Sequence, residues 1–516
     1  MIFLSRIPQR WVILLLAICA VPAIHAAESP WAHPDPTGRL QYQTLPAGDR
    51  IMDFSSAGYM GGGVKLPALP VKKTVRPTGG DDTAAIQSAI NQVAELPAVN
   101  GMRGAVLLDG AKFVCSKPLT ISTGGIVLFG IGTTKTIIDM AGAPHVCLEI
   151  KGKRSVQSEG KPVKITDAYV PSGTSTFTAE SVSGLKVGDT ILITRPVTPE
   201  WVSFMGMDSL ERDGKSEHWI SKPLVAERVI KEISGKKITL DIPLSDSLDA
   251  TQLKPTGATV CKAKITGEIS QVGVESLSIV SRPQPVEITV DHNSGIAFDG
   301  VADGWVCDVN IVNALGSIDI TASRRLTVEN VQMEHQSATK GHAKPLDIRI
   351  DGSQIFIDRC SGRGDDLFPV ATGGSVIGPN VVLNFVFHGN SHLEPHMRWA
   401  TGLLVDNCHL PEGGIDLMNR GTMGSGHGWA IGWGVAWNCS AKTFVIQQPP
   451  GSMNWAIGCR GARETAAQPS SGADKNAPKL PEGIIDSHNN PVLPKSLYLA
   501  QLLERLGPQA LKNIGY

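Results

Sequence analysis

Short strand-like segments recur through the second half of this chain at an irregular period, and this recurrence constrains the fold more than any other feature. VESLSI (274–279), VCDVNI (306–311) and VENVQM (328–333) share one pattern. IDRCSG (357–362), VDNCHL (405–410), AWNCSA (436–441) and AIGCRG (456–461) continue it more loosely. One apolar residue or cysteine keeps the same place in each: Leu277, Val309, Val331, Cys360, Cys408, Cys439 and Cys459. The intervals are 32, 22, 29, 48, 31 and 20 residues, with 48 reading as two turns of 24. A leucine-rich repeat would keep fixed leucine spacing and a propeller would need a longer unit, so the pattern predicts coils of a parallel β-helix. Stacked strands lie about 4.8 Å apart, which aligns like residues into ladders. Free cysteines suit such a ladder because they pack as small hydrophobes.

The rest of the chain fits around these coils. DDTAAIQSAINQVAE (81–95) reads as a helix with Ile86, Ala89, Ile90 and Val93 on one face, able to cap the open end of a solenoid. Residues 27–152 then hold an arm, this helix and the first coils. Residues 153–262 break the rhythm with alternating strands and read as a β-rich insert. The main coils occupy 263–461. Residues 462–494 read as a loose tail, and LYLAQLLERLG (497–507) as a short helix expected to dock at the far end; together they make up the last segment, 462–516.

Residues 1–26 carry Arg6 and Arg10, an apolar run from Trp11 to Ala20 and an Ile24-x-Ala26 cleavage pattern. They read as a cleaved secretory signal, giving a secreted or periplasmic product without a membrane anchor. Charge nearly cancels, with 47 Lys+Arg against 48 Asp+Glu, so no basic stripe for nucleic acid is present. Eight of the nine cysteines remain once Cys19 leaves with the signal, and no CxxC frame for structural zinc occurs.

DFSSAGYMGGG (53–63) followed by PTGGDDTAAIQSAI (77–90) resembles the N-terminus of the pectate-lyase-like superfamily of secreted right-handed parallel β-helices, which includes rhamnogalacturonases, polysaccharide lyases, epimerases and phage tailspikes. The resemblance implies an all-β right-handed parallel β-helix and a polysaccharide ligand. It leaves hydrolysis, elimination, epimerisation and simple binding open, because one fold hosts them all. The tailspike resemblance would imply trimers, so a homo-oligomer stays open.

Three regions carry candidate chemistry. Asp81-Asp82 belongs to a helix start, where carboxylates satisfy unpaired N–H groups. Asp365-Asp366, by contrast, follows a strand among glycines, with Arg363 beside it. Seven of the 13 histidines fall within 335–427, and HGNSHLEPHMR (388–398) spaces His388, His392 and His396 by four, with Glu394 and Arg398 between and after them. NRGTMGSGHGWAIGW (419–433) sets Asn419, Arg420 and His427 in a glycine frame that admits close approach to the backbone. Trp429, Trp433 and Trp437 recur every four residues, with Trp399 and Trp455 nearby, and sugar rings stack well on indole. The Gly-His-Gly string at 426–428 and the Asp365-Asp366 pair resemble motifs of polygalacturonases. Here 61 residues separate Asp366 from His427, and that family's upstream Asn-Thr-Asp is absent.

Two mechanisms follow. Elimination on a uronic-acid polymer needs a group to neutralise the C5 carboxylate, for which Arg363, Arg398, Arg420 or a bound Ca²⁺ are candidates. It also needs a base, for which His392, His427 or Lys340 are candidates. Hydrolysis needs two carboxyls, with Asp365 and Asp366 working alongside Asp416 or Glu394. The density of His and Arg places elimination first. The expected catalytic set is His427, Arg420, His392, Asp365, Asp366 and Lys340. The expected binding set is Arg363, Arg398, His396, Asn419, Trp399, Trp429 and Trp433.

Overall fold

The computed structural model describes residues 27–465 and 479–516; the expected signal and the middle of the expected tail lie outside the described residues. One continuous sheet of 26 strands winds through the chain. Its strands pair in parallel with those of the next coil, as in Leu277↔Val309 and Val309↔Val331, and the coils form a right-handed parallel β-helix. The predicted column is real: Leu277, Val309, Val331, Cys360, Cys408, Cys439 and Cys459 all lie in the solenoid core. Phe385 fills the coil inside the 48-residue gap, since Val386 N–H donates to Cys360 O and His409 N–H to Phe385 O. The eight described cysteines are free. Cys408 and Cys439 Sγ instead lie 3.4 and 3.2 Å from the carbonyls of Val382 and Val405. Burial pushes the Cys360 thiol up to about 12, which leaves it inert.

Every column residue follows a residue in the left-handed region. Ser276, Asp308, Asn330, Arg359, Asn384, Asn407, Asn438 and Gly458 have φ between 50° and 67°. One such residue turns the chain sharply between two strands of a coil, and Asn, Asp and Gly tolerate that geometry best. The asparagines also stack: Asn407 Nδ2 donates to Asn384 Oδ1 at 2.6 Å.

The helix Thr83–Ala94 closes the N-terminal end, burying Ile86, Ala89, Ile90 and Val93 against the first coils. Asp82 ties its start to the coil below by accepting from Thr78 N at 2.7 Å and Val114 N at 2.9 Å. Between Ser155 and Thr266 the chain forms a separate six-stranded antiparallel sheet with its own core, including Phe177, Ile191, Ile238 and Val260. From it the helix Pro199–Phe204 reaches over the coils, its start held by Thr198 Oγ accepting from Trp201 N. Trp201 and Trp219 pack there with Trp399 and Trp429.

The last helices, Leu497–Leu506 and Pro508–Asn513, depart from expectation by lying on the flank of the solenoid instead of its far end. The outward faces of Phe356, Val381, Leu404 and Val435 form an apolar strip that needs a cover. Tyr498 stacks on Phe356 with ring centroids 4.5 Å apart and donates to Ala57 O, while Ser496 Oγ donates to Asp406 at 2.7 Å. The first described strand, Ala27–Glu28, pairs in parallel with Val492–Leu493.

Candidate functional site

Three successive coils build the site. His392 aligns with Gly414 and Gly414 with Thr443, while Leu393 aligns with Ile415 and Ile415 with Phe444. Leu393, Ile415 and Phe444 point into the core, so strand alternation turns His392, Glu394 and Asp416 to the outer face. The segment 418–429 covers that face, leaving His392 3%, Glu394 0% and Asp416 0% exposed. Position 414 must be glycine here, because a Cβ would come within 2.5 Å of His392 Nδ1. The space lets the imidazole lie across to Asp416, with Nδ1 2.8 Å from Oδ2. Burial disfavours the imidazolium, but the charge and hydrogen bond of Asp416 outweigh it and raise the His392 pKa.

Glu394 lies beside Asp416. Burial drives its pKa up to about 8; the charge of Asp416 adds to the rise, while Arg420 and His392 oppose it. Arg420, itself 2% exposed, stands 3.1 Å from Glu394 Oε1. It donates to His396 O at 2.6 Å, and its guanidinium lies 5.4 Å from the Phe368 ring centroid. The His396 and His427 rings are 4.6 Å apart. Burial first, and then the charges of Arg420 and other arginines, push His427 down to about 3 and His396 to about 2, so both imidazoles are neutral at pH 7. His427 Nδ1 is buried and has no hydrogen-bond partner.

The expected residues therefore separate. His392, His396, Arg420 and His427 come together. Arg398 is an anchor, donating to Ser425 O at 2.8 Å and Ser425 Oγ at 2.6 Å and so holding the covering segment. Asn419 shapes the same segment through Gln447 and Gly421. Asp365 and Asp366 do not join the cluster, because their polar groups lock a corner: Asp365 Oδ1 accepts from Asn390 N at 3.0 Å, and Asp366 N donates to Asn390 Oδ1 at 2.9 Å. Arg363 and Lys340 are exposed, Arg363 at the end of the strand Ser361–Arg363 and Lys340 joined through its backbone N–H to Val286. Trp399, Trp429 and Trp433 are only 2–3% exposed, because the insert and the N-terminal arm cover them, and they line cavities instead of an open surface. Their indole N–H groups go to Asp246, Met205 O and Asp246 respectively.

Other members of this face were not foreseen. His335 and Asp347 form a second buried pair at 2.5 Å, supported by Ser317 Oγ on Asp347. Arg349, aligned with Asp319, pairs with Asp319 and Asp351 and is about 40% exposed, so the polar row continues into solvent. The 22-residue interval from Glu394 to Asp416 was a usable signal, since it equals one coil.

Beside the cluster is a cavity of about 720 Å³, lined by Asn419, Arg420 and Trp429 on the coil side and by Phe204, Met205 and Met207 from the insert. The insert is thus one wall of it. A second cavity of about 390 Å³ adjoins this one, sharing Phe204, Gln448 and Pro450 with it. Among the described residues no group of three or more His, Cys, Asp or Glu is arranged to hold a metal ion. None of the helices there is long and apolar enough to cross a membrane.

The chain is a right-handed parallel β-helix protein with a carboxyl, histidine and arginine cluster under one face. No family model matches the sequence, and no curated protein does. Among solved structures it is similar to the tailspike protein gp49 from Pseudomonas phage LKA1, with TM-score 0.44 and 15% identity over 75% of this chain and 58% of that one. It is also similar to an exopolygalacturonase from Thermotoga maritima, with TM-score 0.30 and 9% identity over 78% and 77%. An endo-xylogalacturonan hydrolase from Aspergillus tubingensis gives TM-score 0.28 and 12% identity over 81% and 93%. The chain spans less than two thirds of the length of the tailspike.

Proposed function

We propose that this chain is an exported polysaccharide-cleaving enzyme acting by hydrolysis, with Glu394 as proton donor and Asp416 as its paired carboxylate. The observation that carries the reading is the unequal pair itself. Glu394 keeps its proton to about pH 8, while Asp416 is held by His392. Two carboxyls whose surroundings set them apart supply the acid and the base or nucleophile that glycosidic cleavage needs. The long outer face of a solenoid suits an extended polymer, and the cavity of about 720 Å³ reaches Arg420, which contacts Glu394.

Elimination, expected first from sequence, fits this geometry less well. It needs a base, yet His427 and His396 are depressed to about 3 and about 2, which makes them weak bases. Lys340 lies outside the cluster. Hydrolysis requires the segment 420–428 to shift and admit a sugar to Glu394. Gly421, Gly424, Gly426 and Gly428, all at positive φ, give that segment its freedom.

The test follows reducing ends and the ultraviolet absorbance of 4,5-unsaturated uronates on a polysaccharide panel, using wild type, Glu394→Gln and Asp416→Asn. The expected result is reducing ends without absorbance, reduced at least about 100-fold in each variant. Absorbance rising with reducing ends, retained in Glu394→Gln and lost in His427→Ala, would replace hydrolysis by elimination.

A further inference from the structure

The cavity of about 390 Å³ lies where the N-terminal arm, the insert and the coils meet. Arg195, at the end of the strand Thr190–Arg195, lines it while only 6% exposed. Its guanidinium sits 3.9 Å from the centroid of the Trp201 ring, and Nε is 3.6 Å from Asp246, too far for a hydrogen bond. Nε and Nη1 are buried without a hydrogen-bond partner. Asp246 cannot turn to them freely, because Trp433 Nε1 donates to its Oδ1 and Trp399 Nε1 to its Oδ2, each at 3.0 Å. A buried guanidinium with unmet N–H groups beside a cavity calls for an oxygen acceptor from outside the chain.

The lining also says which kind of acceptor. Asp49, Asp246 and Asp249 contribute three carboxyls to the cavity against the single guanidinium of Arg195. Asp49 is engaged by Tyr169 OH at 2.8 Å and Ser172 N at 2.7 Å, and Asp249 by Thr251. A further carboxylate would meet like charge, whereas a hydroxyl or amide carbonyl would satisfy Arg195 without repulsion. Aromatic walls and a few fixed polar groups are what a sugar ring requires, and the volume falls within the roughly 300–1,000 Å³ of small-molecule sites.

We infer that this cavity is a binding subsite for an uncharged sugar residue, held by Arg195 through a hydroxyl or acetamido oxygen. The subsite rests on the hydrolase reading in one respect: sharing a wall with the larger cavity, it would hold a neighbouring residue of the same polymer. The substrate is then a polysaccharide containing a neutral hexose or N-acetylhexosamine, and not a pure polyuronate.

The test is binding without turnover. Methyl glycosides of glucose, galactose, N-acetylglucosamine and galacturonic acid are titrated by saturation-transfer NMR against the full chain, Arg195→Gln and Gln252→Trp. Gln252 is a half-buried lining residue, so the bulkier side chain fills the cavity without disturbing the guanidinium even if Arg195→Gln fails to fold. At least one neutral glycoside is expected to bind about tenfold or more tightly than the galacturonide, and both variants to weaken it by about tenfold or more. Equal or tighter binding of the galacturonide, unchanged affinity in Gln252→Trp, or no binding of any glycoside would overturn the inference. Neutral-glycoside binding in a chain that hydrolyses no polymer would overturn the hydrolase reading alone. Hydrolysis in a chain that binds none of the glycosides would overturn the subsite alone.

Discussion

Glu394 and Asp416 stand one coil apart in the same outward row, immediately after the aligned pairs His392↔Gly414 and Leu393↔Ile415, and both are fully buried in the protein wall. Burial is the main reason that Glu394 keeps its proton, and the charge of Asp416 adds to it.

Activity should fall on the alkaline side because of this pair. Glu394 must be protonated to donate, and with its pKa near 8 the active form is lost as pH rises through about 8. A profile of kcat/KM against pH shows it. A plateau extending well beyond pH 9 would remove Glu394 from the role of acid.

Gly414→Ala should damage the site from one methyl group. The new Cβ would press on His392 at 2.5 Å and on Thr443 Oγ1 at 2.7 Å, displacing the imidazole from Asp416. Overpacking of this kind costs about 1–3 kcal/mol, so urea denaturation should shift while hydrolysis falls sharply. Wild-type turnover in this variant would mean that the His392–Asp416 contact does not matter to the reaction.

Asp406 gives a stability prediction with a definite sign. It is fully buried and accepts from Ser496 Oγ and from Tyr498 N at 2.9 Å; burial raises its pKa from 3.8 to about 8. The folded state holds the proton more tightly than the unfolded chain, so this group's contribution is fully present below about pH 4. It is lost progressively as pH rises through 8. Asp406→Asn cannot ionise, so its melting temperature should gain on wild type between pH 5 and pH 8. A pH-independent gap would contradict a raised pKa. Asp406→Ala should instead cost about 1–3 kcal/mol by stranding the groups it bonds.

The corner residues should be replaceable by glycine and intolerant of branching. Asn407 has φ 53° and bonds Asn384, so Asn407→Val should cost about 1–2 kcal/mol from the backbone alone, and Asn407→Gly much less. Equal stability of the two variants would mean that the corner relaxes out of the left-handed region.

The column from Leu277 to Cys459 was legible because each coil repeats one inward position next to one corner. Phe385 escaped because an aromatic replaced the cysteine and no similar string flanked it. The crowding of His392, His396, Arg420 and His427 was also visible in the sequence, and Glu394 and Asp416 were in view as carboxyls for hydrolysis, but not as a pair. Glu394 meets Asp416 only through the register of separate coils, and spacing along one strand carries no trace of it. The tryptophans carry a related lesson: a four-residue spacing marks one face but not whether the insert covers it and turns it into a cavity wall. Asp365 and Asp366 looked paired because they are adjacent, whereas Asp365 Oδ1 turns to Asn390 N and the Asp366 carboxylate turns outward toward Lys344.

The strand Ala27–Glu28 lies along Val492–Leu493, and Tyr516 donates its hydroxyl to Asp358 at 2.6 Å. Force applied between Ala27 and Tyr516 would therefore be borne first by that strand pair and the flanking helices, loaded in shear. The coils would stay slack until this fastening gave way. A pulling record should open with one rupture event that frees the flank, followed by the stepwise unspooling of the turns.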